Sequence, residues 1–299
     1  MKLAVHFGVY EAEKPFASHT LGRLLNQLAG HDVHVLVLDD ASPSNLGAAL
    51  YKELSGAFPA VTWDVHRIEK SKGYRGLMGR ALFALNRIAE SDIRFDYFVR
   101  VDADLFINRP AISNLFTTCR LPQRGLVGKV QELRWRDYIQ ILLDLIPIGL
   151  QRKVVGDHLE HAWALTRTRP VWWSDIGRKA LLHGFGRRFV HGALMIMAGD
   201  TLTDLKRSGW LDRTPSASTG LMFGDDVVVS LLVKGLGDPL VDFNEVMPEW
   251  RCEMSFDPRS FNISSSPMRD YHVLHPLKGD ATSLELRRTL SERFHHVAS

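Results

Sequence analysis

Two carboxylates stand two residues apart at Asp102-Ala103-Asp104, directly after the apolar run Tyr97-Phe98-Val99-Arg100-Val101. Carboxylates so spaced at a strand end can converge on one divalent cation, and hard oxygen ligands suit Mg2+ or Mn2+. The competing reading is a solvated turn, because Asp-x-Asp is common by chance; the apolar strand before it favours the metal site. A second acidic pair, Asp39-Asp40, ends the apolar run Val33 to Leu38 and precedes Ala41-Ser42-Pro43. One carboxylate there can accept hydrogen bonds from a nucleobase or ribose, as acids at βα turns do. Capping of the next helix is the alternative, and the two uses are compatible with one Asp for each.

These acids need a scaffold, and the first hundred residues read as one. Strands are expected at 2–9, 33–38, 61–68 and 97–101. Helices are expected from a Ser18 cap to Gly30, from an Asn45 cap to about Leu54, and over 76–89. Such alternation implies an α/β fold with a mostly parallel sheet and helices on both faces. Ligands bind at the carboxyl ends of strands in such sheets, and Asp39, Asp40, Asp102 and Asp104 all sit there. The second half is less regular. Pro110 starts a helix over 110–118, Phe189 to Met197 is a strand, 200–208 is a helix, and Val227 to Lys234 is a helix after Gly224-Asp225-Asp226. An amphipathic tail begins at Ser283. With no repeat or clear linker, the chain reads as one composite domain over 1–299, divided into a ligand-binding half (1–110) and an irregular half with the tail (111–299).

Composition narrows the function. With 299 residues, 45% hydrophobic and 24% charged, the chain can bury a core and is not disordered. A net charge of +3 implies no nucleic-acid partner. Two cysteines, Cys119 and Cys252, make no disulfide framework and fit a reducing compartment. Met1 to Phe7 is too short and too soon polar for a signal peptide. The longest apolar stretch, Tyr138 to Leu150, is broken by Asp144 and Pro147, short of the roughly 18 residues of a membrane span. The expected location is cytoplasmic, with at most peripheral contact at the inner face of the membrane.

Taken together, Val35 to Pro43 resembles the first nucleotide-binding turn of GT-A fold glycosyltransferases, particularly glycosyltransferase family 2, and Asp102-Ala103-Asp104 resembles their metal-binding Asp-x-Asp. Gly73 to Arg80 resembles the family's glycine- and arginine-containing loop. Gly192 followed by Asp225-Asp226 resembles the acceptor half, where an acidic pair supplies the catalytic base. His275, before Pro276, resembles the late His that completes the metal site in several such enzymes. The likeness is strong over 1–110, moderate over 189–237 and weak over 110–188. No Gln-x-x-Arg-Trp follows Asp226, which argues against a processive polymer synthase.

The resemblance implies a transferase moving a sugar from a nucleotide-sugar donor, UDP-linked by family likeness, to a hydroxyl of a glycan, a lipid-linked or a small-molecule acceptor. Mn2+ or Mg2+ held by Asp102, Asp104 and His275 would neutralise the leaving diphosphate, and an imidazole ligand favours Mn2+. Asp225 or Asp226 would take the acceptor proton in an inverting reaction, since adjacent carboxylates push one pKa upward; a retaining enzyme would need no such base. Asp39 and Asp40 would read the nucleoside, and Arg75, Arg80 and Lys278 would touch the diphosphate. Among thirteen histidines a structural role for His275 is an equal reading; His191 and His272 are weaker candidates. Trp172-Trp173 and Trp250 are candidate sugar platforms, with burial as the default. The segment 134–153 reads as a helix closing the acceptor cleft or lying on a membrane. A haloacid-dehalogenase-type Mg2+ phosphatase shares Asp-x-Asp and a later Gly-Asp-Asp, but its motif ends the first strand. A nucleotidyltransferase would carry a Gly-rich loop where Gly8 to Lys14 stands. A non-catalytic relative would have lost some of these acids.

Overall fold

The computed structural model describes residues 1–71, 77–107, 111–145, 171–212, 224–254, 257 and 271–295. Its centre is a seven-stranded sheet ordered β3-β2-β1-β4-β7-β6-β8. The strands are β1 (Lys2–Val9), β2 (Asp32–Asp39), β3 (Thr62–Arg67), β4 (Tyr97–Asp102), β6 (Leu126–Glu132), β7 (Arg188–Ala198) and β8 (Leu240–Asp242). Strands β3, β2, β1 and β4 are parallel neighbours. Strand β7 pairs antiparallel with both β4 and β6, and β6 runs parallel to β8. Only β7 therefore opposes the rest, which is the mostly parallel α/β sheet that the alternation predicts.

Apolar side chains cover both faces, as a sheet sandwiched between helices requires. On one face Leu3, Val5, Phe7, Val35 and Val99 meet the helices Ala17–Gln27, Leu46–Leu54 and Ala111–Thr117. On the other, Ala4, Leu36, Phe98, Met195 and Met197 meet the helices Leu77–Ala89, Val171–Leu182 and Asp225–Gly235. A small sheet of β5 (Phe106–Ile107), β9 (Cys252–Glu253) and β10 (Val273–Leu274) has β10 at its centre. The C-terminal helix Ala281–His295 packs Leu286 and Leu290 on Phe106, Leu274 and Leu277.

Several local expectations shift. Ser18 is not a cap: the helix begins at Ala17, and the Ser18 hydroxyl bonds Glu53 at 2.5 Å. Asn45 occupies the cap position with φ 51° but makes no side-chain cap. The helix expected at 227–234 starts two residues earlier, so Asp225 and Asp226 lie inside its first turn, where acids are favoured by the helix dipole. Strand β6 was not expected from the sequence. Pro110 falls outside the described residues.

Candidate active site

Because β1, β2 and β4 are parallel and adjacent, their carboxyl ends lie side by side, and a cavity of 410 Å³ opens above them. Gly8 sits opposite both Leu38 and Asp102 in register, so the acidic ends of β2 and β4 flank it. Of the residues expected in the site, Asp40, Arg80, Asp102, Asp104, Asp225, His275 and Lys278 line this cavity. Arg75 lies outside the described residues, as do the side chains of Trp172 and Trp173.

Asp102, Asp104 and His275 each offer a ligand atom, all within 4.8 Å of one another. His275 Nε2 stands 3.1 Å from Asp104 Oδ1. Burial alone would raise Asp104, but the hydrogen bond and charge of His275 outweigh it and hold the carboxyl below its ordinary range. Burial opposes the His275 charge in turn, and Asp104 wins, so the imidazole pKa is raised. Asp102 is raised by burial, which Arg100 offsets in part. Two carboxylates and one imidazole within 4.8 Å of one another are a donor set that fits a divalent cation of the Mn2+ type.

The lining is strongly charged. Asp40, Asp102, Asp104 and Asp225 share the cavity wall with Arg80, Arg100 and Lys278. Glu13 also lines it, and burial pushes its carboxyl well above the usual range. A divalent cation would add two positive charges to this wall, which suits an anionic ligand.

The two acids at the end of β2 divide their tasks. Asp39 is fully buried; its Oδ1 accepts the Ser42 amide at 2.7 Å, and Oδ2 accepts the Ser42 hydroxyl at 2.8 Å and the Gly47 amide at 2.9 Å. The Ser42 hydroxyl oxygen accepts the Leu46 amide at 2.7 Å. Asp39 thus accepts from the first turn of the helix Leu46–Leu54 and is not among the described residues that line the cavity. Replacing it, Asp39→Ala, is expected to cost about 1–2 kcal/mol, read as a lowered urea midpoint. Asp40 is paired with Arg80 and accepts the Ser71 hydroxyl at 2.8 Å.

Arg100 is the residue that sequence reading passed over. It is buried on β4, paired with Asp225 and, at 3.2 Å, with Asp102. Its guanidinium ties the strand that carries Asp102 to the helix that carries Asp225 and Asp226. A charged residue inside an apolar central strand needs such partners, and that was the available signal. His6, one pleat below Gly8, is also buried in the cavity wall; burial, with Arg100 and Arg80 adding, holds it neutral with a pKa of about 3.

Asp226 is half-buried beside the wall, and its Oδ1 accepts the Val227 amide at 2.8 Å. Burial, reinforced by Asp225, raises its pKa to about 6. The carboxylate folds back over Gly224, where a Cβ would overlap it, so the Gly-Asp-Asp sequence has a steric reason. His191 packs edge-on against His275 with ring centroids 5.2 Å apart, and burial first, then His275, lowers its pKa to about 4. Trp250 is a core residue 2% exposed, between Phe243 and a stacked His272, with no face free for a sugar.

No family model matches the sequence, and no curated protein matches it. Solved structures do resemble the fold. An active-site mutant of LgtC aligns over 97% of this chain and 95% of its own, with 12% identity and a TM-score of 0.50. The galactosyltransferase LgtC in complex with donor and acceptor sugar analogues gives 13% identity and 0.49 over the same shares. The mannosyltransferase PcManGT of Pyrobaculum calidifontis, in complex with GDP-Man and Mn2+, gives 16% and 0.46 over 80% of this chain. This chain spans 54% of the length of PcManGT. The fold is of the GT-A type found in glycosyltransferases; the likeness does not single out family 2. The phosphatase alternative needs its first Asp at the end of the first strand, whereas Asp102 ends the fourth. Among the described residues, no helix is long and apolar enough to cross a membrane.

Proposed function

We propose that the chain is a metal-dependent glycosyltransferase that takes a sugar from a nucleotide-sugar donor to a hydroxyl acceptor with inversion. The observation that carries this reading is the convergence of Asp102, Asp104 and His275 within 4.8 Å in the wall of the cavity above β1, β2 and β4. The PcManGT and LgtC complexes hold donors, or donor analogues, on a related fold, which is consistent with it.

In this reading Asp40 and Arg80 hold the nucleoside end of the donor, at the end of β2. Lys278, in the same wall as the metal ligands, meets the diphosphate. Asp102, Asp104 and His275 would hold Mn2+ or Mg2+, which would supply Lewis-acid neutralisation of the leaving group. Asp226 accepts the proton of the acceptor hydroxyl: its pKa of about 6 leaves it ionised yet basic at neutral pH. Asp225, locked by Arg100, positions the first turn of the helix and contributes field rather than proton transfer. UDP is the proposed carrier, and the acceptor is a glycan, a lipid-linked sugar or a small metabolite.

Calorimetric titration with UDP, GDP, CMP and ADP, each with and without Mn2+, tests the proposal. One nucleotide is expected to bind tightly only with Mn2+, and its base names the donor class. Failure of all four to bind would overturn the donor reading.

A further inference from the structure

The metal ligands come from two segments, 102–104 and 275, and both are fastened to one buried cation on the C-terminal helix. Arg287 is 5% exposed. Its Nε and Nη2 donate to the carbonyl of Leu277 at 3.0 and 2.7 Å, Nη2 to the carbonyl of Leu105 at 3.3 Å, and Nη1 to the hydroxyl of Thr20 at 3.2 Å. The Thr20 hydroxyl, 1% exposed on the helix Ala17–Gln27, lies 2.8 Å from the Ala103 carbonyl and 3.1 Å from that of Leu105. The carbonyls gripped therefore flank Asp104 on both sides and lie between His275 and Lys278. A backbone bond from Leu277 to the Asp104 carbonyl, 2.8 Å, closes the loop. The guanidinium carbon also stands over the Phe16 ring, 4.5 Å from its centre.

None of these bonds touches a ligand atom: apart from the Arg287–Thr20 bond, all end on main-chain carbonyls beside the ligands. What they fix is the position of one segment against the other. We infer that Arg287 and Thr20 are positioning residues that set the distance between Asp104 and His275, so that affinity for the divalent cation is controlled from the C-terminal helix. The inference rests on the metal-site reading above. Its physical basis is that ligands held at their productive separation bind without the ordering cost that loose ligands meet.

The test measures Mn2+ affinity directly, by electron paramagnetic resonance of free Mn2+ titrated with the wild type, Thr20→Val, Thr20→Ser and Arg287→Lys. Thermal unfolding is followed in parallel. Thr20→Val keeps the side-chain shape and removes the hydroxyl; it is expected to weaken Mn2+ binding about tenfold, and Arg287→Lys by at least as much. Thr20→Ser restores the hydroxyl and is expected to bind within about twofold of the wild type. A residue that only stabilises the fold would lower the unfolding temperature and leave Mn2+ affinity alone. Folded Thr20→Val with wild-type affinity would overturn the inference, and that variant decides the matter if Arg287→Lys does not fold. A wild type that binds no Mn2+, with or without nucleotide, would instead overturn the metal reading and the clamp with it.

Discussion

Asp104→Asn is expected to remove Mn2+-dependent nucleotide binding and to lower sugar transfer by about 10³-fold or more, since the neutralisation of a leaving diphosphate is worth several kcal/mol. The substitution preserves size and one acceptor oxygen, so the backbone bond from Leu277 to the Asp104 carbonyl persists. What it removes is half the charge that the two ligand carboxylates bring. It also removes the ionic partner that raises His275. Nucleotide titration with and without Mn2+ reads the first effect, and initial rates read the second. Metal-dependent binding that survives Asp104→Asn would show that the cation, if one binds, sits elsewhere.

Asp226→Asn is expected to lower transfer by about 10²- to 10⁴-fold, the usual worth of a general base, while donor binding persists. In the wild type, turnover should rise with pH through about 6, because the base works only when ionised, and then level off. Stability should move the opposite way. The folded pKa lies above the unfolded value of 3.8, so the folded state binds the proton more tightly. The penalty for ionising Asp226 is absent below the unfolded value, grows as pH rises towards 6 and is complete above it. Asn, which cannot ionise and can still accept the Val227 amide, should therefore stabilise the protein above pH 6 by roughly 1–3 kcal/mol while disabling it. Thermal unfolding at pH 4 and pH 8 checks the sign. Full activity in Asp226→Asn would argue for retention, in which no such base is required.

The sheet was readable where its strands are apolar on both faces. Val33 to Leu38 and Tyr97 to Val101 could hardly be anything but central parallel strands, and the acids that follow them mark the ligand edge by topology alone. Strand β6 was not readable: Gly125-Leu126-Val127-Gly128-Lys129-Val130 mixes glycine and lysine into a short run, and its register shifts between Gly128 and Val130. Nothing local announces a strand that exists because β7 and β8 frame it. Asp39 and Asp40 show a different limit. Their order in sequence cannot say which one turns inward to cap and which one faces ligand; the backbone direction at the end of β2 decides. Arg100 marks the third. It was counted within an apolar strand, although a buried guanidinium demands partners, and looking for them would have joined Asp102 to Asp225. The pairing of Asp104 with His275 rested on family likeness, because no pattern in the chain brings two distant segments together.

The span bridged by Thr20 and Arg287 has a consequence for how the molecule comes into being. The two residues are 267 positions apart, a stretch that takes roughly 15–50 s to synthesise at about 5–20 residues per second. Strand β1 is made before that interval and β2 to β4 within its first part, so Asp102 and Asp104 are synthesised, with Arg100 beside them, long before His275 or Arg287. On the proposed metal-site reading, the nascent chain passes through a stage that has both acids and lacks His275. The clamp between the two segments is completed only with the helix Ala281–His295, and a message interrupted before Arg287 would encode the acids without it.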